Sequence, residues 1–193
     1  HYTSEKNILK VIKPLFLDEL YQEFESIKSN KKKVEAFHDK LSKLKFLDPA
    51  CGCGNFLIIA YRELRLLEIE VVKKQLGKQL VNVNEYLKVD VDQFYGIEID
   101  EFPSQIAQVA MWLTDHQMNM RVSEEFGKYF VRLPLRKSAT IIHGNALSTD
   151  WRNIIKPEAL SYILGNPPFG GAKYINEAQR ADMAMTFADV PSA

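Results

Sequence analysis

Phe46-Leu47-Asp48-Pro49-Ala50-Cys51-Gly52-Cys53-Gly54-Asn55-Phe56 holds a short strand signal, a glycine turn and the start of a long amphipathic helix over about 55–76. A glycine turn between a strand and a helix lets the backbone approach a ligand closely. The free amides of the helix start can receive a carboxylate or phosphate. Leu57 occupies the third glycine position of the dinucleotide pattern, and no Gly-Lys-Ser/Thr follows as in a phosphate loop. The segment therefore suits a nucleotide-bearing cofactor without saying which one, and a plain tight turn reads the same way.

Outward from this turn, strands and helices alternate. Before it, Thr3 or Ser4 with Glu5 opens a helix carrying Ile8, Leu9, Val11, Ile12, Leu15 and Phe16, which Pro14 should kink or divide. A second helix over about 31–44 carries Val34, Phe37, Leu41 and Leu44 on one stripe, and its lysines at 31–33 read as a solvated face. After the long helix, 77–93 reads as a polar insertion and 94–99 as the second strand. Asp100 is placed to cap a helix that has Pro103 in its first turn and runs to about 118. A further insertion covers about 119–137, and strands follow at 140–143 and 162–164. The last strand ends at Asn166-Pro167-Pro168-Phe169, and a final helix covers 175–187. The pattern is α/β, a doubly wound, mostly parallel sheet. The N-terminal helical segment (1–45) leads into a second part (46–193), and the sheet is expected to need further strands, since four would leave an apolar edge open.

Composition narrows the function. Lys plus Arg and Asp plus Glu stand at 25 each, so the chain lacks the basic excess with which a self-sufficient DNA-binding module neutralises phosphates. No apolar run nears the roughly 18 residues of a membrane span and no signal-peptide pattern is evident, while the lack of a disulfide framework fits a reducing, cytoplasmic setting. Cys51 and Cys53 are too close for a disulfide framework, and no second pair makes a metal site.

Two other places carry chemistry. Glu98, ending the second strand in Tyr95-Gly96-Ile97-Glu98-Ile99-Asp100, is placed to grip both ribose hydroxyls of a nucleotide, although an acid at a strand end needs no such role. In Asn166-Pro167-Pro168-Phe169 two prolines fix the backbone and remove two donors. The Asn166 side-chain oxygen and the Pro167 carbonyl then form an acceptor pair suited to an NH₂ group. Phe169 offers a ring for stacking on a flat base. A generic Pro-Pro turn is the alternative.

The ordered set Asp48-Pro49-Ala50-x-Gly52-x-Gly54-x-Phe56, Gly96-Ile97-Glu98-Ile99-Asp100, Gly144-Asn145-Ala146-Leu147 and Asn166-Pro167-Pro168-Phe169 resembles the gamma-type DNA adenine-N6 methyltransferases, most of all the methyltransferase region of fused restriction–modification enzymes. The resemblance implies a Rossmann-like class I methyltransferase fold and S-adenosyl-L-methionine as cofactor. It implies that Thr3 and the loop of Asp48, Pro49, Ala50, Gly52, Gly54, Asn55 and Phe56 hold the methionine end. Glu98 would take the ribose, Ile99 would pack on the adenine, and Asn145, with Ala146 beside it, would bond the adenine amino group. Asn166, Pro167, Pro168 and Phe169 would receive the target base. Relatives often have Asp where this chain has Asn145, and an amide oxygen can still accept from an amino group. Double-stranded DNA is the implied partner, held mainly by a recognition domain outside this chain, with a nuclease possible upstream.

Carbon-5 cytosine chemistry would need a nucleophilic cysteine, usually after a proline, and neither cysteine here is so placed. Glutamine- and guanine-modifying methyltransferases share the acceptor tetrapeptide but tend toward Asp-Leu-Gly where this chain has Asp-Pro-Ala. A non-catalytic cofactor-binding scaffold is a further alternative. No strand-borne Asp…Glu-x-Lys cluster points to a nuclease within the chain.

Overall fold

The computed structural model describes residues 3–77, 83–127, 138–167 and 175–188. Its elements run α1 (Glu5–Ile12), a π-helical turn (Lys13–Leu17), α2 (Asp18–Ile27), α3 (Lys31–Leu41), β1 (Phe46–Asp48), α4 (Asn55–Leu76), β2 (Phe94–Glu98), α5 (Glu101–Phe126), β3 (Thr140–His143), β4 (Tyr162–Ile163) and α6 (Glu177–Thr186). The four strands are all parallel, in the order β3-β2-β1-β4. The crossover from β1 to β2 passes through α4, and that from β2 to β3 through α5. The order reverses between β1 and β4. At such a switch point the loops leaving the two strands diverge and open a crevice beyond their carboxyl ends.

Stacked rings pin the sheet at the opposite end. Phe46 lies 4.8 Å from Phe94, 5.4 Å from Tyr162 and 5.1 Å from Phe16 between ring centroids. One continuous core joins this cluster to Ile8, Ile12, Leu20, Phe24, Val34, Phe37 and Leu41 of the first three helices and to the buried face of α4. Residues 1–45 thus build part of the same core as the sheet.

Local readings change in five places. Pro14 removes a helical donor, and the turn widens so that the Asp18 N–H reaches the Lys13 carbonyl; the helical path continues into α2. Val11 and Leu15, expected on the apolar stripe, are 43% and 40% exposed; Leu17 and Leu20 take the buried positions after the widened turn. α5 runs to Phe126, well past the expected end near 118, because Met118 and Val122 pack on Ile69, Val72 and Leu76 of α4; Gly127 then ends the helix at φ +64°. Asp100 stands at the N-cap of α5 but its side chain makes no capping bond. The strands expected at 94–99 and 162–164 are each shorter by one residue.

Candidate cofactor and acceptor site

β1 delivers Asp48 to the crevice, and the chain then turns through Gly52 (φ +54°) and Gly54 (φ +84°) into α4. At Gly52 an added Cβ would meet nothing within 4 Å, so the turn faces open space there. At Gly54 it would lie 3.1 Å from the Ala107 Cβ, so close packing of α5 requires glycine. β2 delivers Glu98, whose carboxylate is held at both oxygens: Oε2 accepts from the Gly52 N–H at 2.7 Å and Oε1 from the Asp100 N–H at 3.0 Å. The Asp100 side chain cannot cap at the third helical position, because Pro103 there has no N–H to donate. The Glu98 carbonyl accepts from Gly144 N–H at 2.8 Å, which brings the 144–147 turn to the same mouth. Ile99 stands at its rim with 62% of its surface exposed.

β4 brings the acceptor loop in. Gly165 has φ +147°, and a Cβ there would lie 2.4 Å from Asp48 Oδ1. The carboxyl of β1 and the residue preceding Asn166 are therefore in direct contact. Asn166 and Pro167 are exposed, and Asn166 Nδ2 donates to Thr3 Oγ1 at 3.2 Å. Thr3, Asp48, Ala50, Gly52, Glu98, Asn145 and Asn166 form a chain of contacts or sequence neighbours at the carboxyl ends of the strands. Phe56 points away, 5% exposed within the core, and Pro49, Ala50, Asn55 and Ala146 are half-buried. Pro168 and Phe169 lie outside the described residues. Gly165 is the site residue that sequence reasoning missed; its only signal was a glycine between an apolar strand and Asn-Pro-Pro.

Burial gives the mouth its electrostatics. Asp48 is 1% exposed, and desolvation pushes its pKa up to about 7, against the Ala50 N–H donated to Oδ1 at 3.1 Å. Among the described residues no Lys or Arg pairs with it to favour the charged form. The Cys51 thiol, buried against Gly96, is pushed up to about 12, chiefly by desolvation, and is inert as a nucleophile. Among the described residues no group of three or more His, Cys, Asp or Glu side chains is placed to hold a metal ion, and no helix is long and apolar enough to cross a membrane.

The Asp48 shift makes a stability prediction. The folded protein holds this proton up to about pH 7, whereas the unfolded chain releases it near 3.8. Stability from this group is therefore full below 3.8, falls as pH rises toward 7, and is flat above. At about 1.4 kcal/mol for each pH unit crossed, the loss is on the order of 4 kcal/mol. Asp48→Asn should remove that slope and raise the thermal midpoint at pH 8 by several degrees. Melting curves of both proteins from pH 4 to 8 check this; parallel curves would refute it.

The profile of the family described as "MmeI, DNA-methyltransferase domain" matches residues 24–192. The chain belongs to this MmeI methyltransferase family. It is 41% identical, over 98% of its own length, to DNA methyltransferase A of Bacillus subtilis (strain 168), and 36% identical, over 50% of its length, to a putative type II restriction enzyme and methyltransferase of Methanocaldococcus jannaschii. Among solved structures it is similar to the Type IIL restriction–modification enzyme MmeI in complex with DNA, with a TM-score of 0.95, 57% identity and all of this chain covered. The Rossmann-like architecture of the MmeI family is thus the one found here. The chain spans 22% of the length of DNA methyltransferase A, 8% of the M. jannaschii protein and 26% of the MmeI chain.

Proposed function

We propose that this chain is the cofactor-binding and catalytic part of an S-adenosyl-L-methionine-dependent DNA methyltransferase of a restriction–modification system, and that its target is the N6 amine of adenine. The contact of Gly165 with Asp48 carries the reading, because it seats the Asn166-Pro167 acceptors beside the glycine turn. The residues present fit the cofactor. Gly52 faces open space, Glu98 presents a fixed carboxylate for ribose hydroxyls, and Ile99 offers exposed apolar surface for a flat base. Asp48 is a buried acid that a cationic ligand would ionise. The bound cofactor supplies a methyl group already activated on a sulfonium.

The protein's own task is then to position and polarise. An exocyclic amine is a poor nucleophile because its lone pair is delocalised into the ring. Asn166 Oδ1 and the Pro167 carbonyl, accepting its two hydrogens, draw the nitrogen toward tetrahedral geometry and localise that pair. The base leaves the duplex to reach them, with Phe169 as its stacking partner. The equal count of acidic and basic residues supports leaving most phosphate contacts to a recognition domain elsewhere in the protein, and a nuclease in the same polypeptide is in keeping with the fused relative. Residues 46–193 form the methyltransferase part and 1–45 its helical entrance.

Calorimetry of S-adenosylmethionine against the intact protein and its Glu98→Ala variant tests the cofactor assignment. A hydrogen bond to a charged group is worth about 1.5–3 kcal/mol, so binding should weaken roughly 10- to 100-fold. Unchanged affinity in the variant would overturn it.

A further inference from the structure

Asn145 reads as an isolated polar residue in the turn after β3, but both ends of its amide are engaged. Its Oδ1 accepts from the Leu147 N–H at 3.0 Å, and its Nδ2 donates to Asp182 Oδ2, on α6, at 2.7 Å. One helical turn on from Asp182, Thr186 donates its hydroxyl to the Leu147 carbonyl at 2.9 Å. The two α6 residues thus grip one turn from the same face of the helix.

α6 has no buried residue, and Met183, Met185 and Phe187 beside these contacts are 42%, 82% and 49% exposed. The helix is closed at its start by an Asn176–Gln179 capping box. Apolar packing contributes little to its docking, which rests on the polar contacts with residues 145–147.

Those contacts have a consequence for the amide. A carboxylate only accepts, so it must face the NH₂ of Asn145; a backbone N–H only donates, so it must face the oxygen. Both neighbours select the same orientation, and the second lone pair of Oδ1 is what Asn145 can offer to a ligand. Resting on the cofactor reading above, we infer that Asp182 is a positioning residue for the adenine end of the cofactor. It fixes the Asn145 oxygen as the acceptor for the adenine amino group, and it couples the helix that follows the acceptor loop to cofactor occupancy.

The test is calorimetry of S-adenosylhomocysteine and its inosine counterpart, in which an oxo group replaces the amino group, on the intact protein. The variants are Asp182→Ala, Asn145→Asp and the Asn145→Asp/Asp182→Asn pair. Asp182→Ala should weaken the adenine ligand about 3- to 10-fold, the range of one neutral hydrogen bond. It should leave the inosine ligand unchanged, because that ligand has no amino group for the Asn145 oxygen to accept from, and the Leu147 N–H still holds that oxygen. Asn145→Asp sets two carboxylates against each other and should weaken binding by about tenfold or more. The double variant should return to within about threefold of wild type, since the amide then on α6 can donate to the carboxylate then in the turn. Hydrogen exchange should show α6 amides protected by S-adenosylhomocysteine in the wild type and not in Asp182→Ala.

Equal loss of both ligands in Asp182→Ala, or no rescue in the double variant, overturns the positioning role while the cofactor reading stands. Wild type that does not bind S-adenosylhomocysteine overturns both.

Discussion

Asn166→Ala is expected to lower the methyl-transfer rate by about 10²–10³-fold, the cost of deleting one preorganised polar group at a reacting centre, while changing cofactor affinity less than about threefold. The split follows from where Asn166 stands. Its side chain is exposed beyond β4, with Nδ2 given to Thr3, so removal creates no cavity and breaks one surface hydrogen bond. The groups proposed to hold the cofactor, Glu98 with its two backbone donors and the turn at Gly52, stay in place. What disappears is one of the two acceptors proposed for the target amine, whose lone pair would then remain in the ring. Single-turnover methylation of an oligonucleotide, run beside calorimetry of S-adenosylhomocysteine, reads the two quantities separately. Equal losses in both would deny Asn166 its acceptor role and recast it as part of the cofactor pocket. Thr3→Ala is the companion variant. It leaves the acceptor but frees its orientation, so its rate should fall between those of wild type and Asn166→Ala.

The features that sequence reading located are those written in adjacent residues. A strand, a glycine turn and a helix start lie within 46–56, and the structure has β1, the turn and α4 there. Glu98 ends a strand, Asn145 and Asn166 each follow one, and strand ends in a parallel sheet point to one edge, so their convergence follows once strand order is known. The contacts that close the site were not legible. Gly165 must be glycine because Asp48, 117 positions earlier, touches it. Asp182 looks like any charge on a polar helix until Asn145 is found beside it.

The overlong α5 has the same origin. Residues 119–126 carry Asn119, Arg121, Ser123, Glu124 and Glu125 and read as a surface insertion. Met118 and Val122 nevertheless cap a small apolar cluster, and Asn119 is 4% exposed because a buried arginine needs it. A polar residue recruited by a partner some 50 positions away leaves no periodic trace.

That buried arginine belongs to a network whose weakest point is Glu68, and Glu68→Ala should cost about 3–5 kcal/mol, the usual range when one member of a buried ionic group is removed. Arg65 and Glu68 are both 0% exposed. Arg65 donates to Tyr61 Oη at 2.8 Å, to Asp115 Oδ1 at 3.3 Å and to Asn119 Oδ1 at 3.1 Å, which locks α4 to α5. Its Nε and Glu68 Oε2 stand 3.3 Å apart as an ion pair, and among the described residues neither atom has a hydrogen-bond partner. Glu68 Oε1 accepts from the Lys88 N–H at 2.6 Å and the Val89 N–H at 2.8 Å, and lies 3.0 Å from His38 Nε2 on α3. Alanine would remove the acceptor of the buried Val89 amide and of the part-buried Lys88 amide, and the partner of a buried imidazole and of one face of a buried guanidinium, so that the buried groups lose compensation for their desolvation. For a chain of this size 1 kcal/mol moves the thermal midpoint by roughly 2–4 °C, so a drop of about 10 °C is expected. The Lys88 and Val89 amides, on the approach to β2, should lose exchange protection first. Glu68→Gln should fall between, because it keeps an acceptor for the two amides but turns a donor toward Arg65. A Glu68→Ala midpoint within about 2 °C of wild type, less than 1 kcal/mol on the same scale, would mean that water replaces the carboxylate, and the network would then owe its stability to the bonds of Arg65 with Tyr61, Asp115 and Asn119.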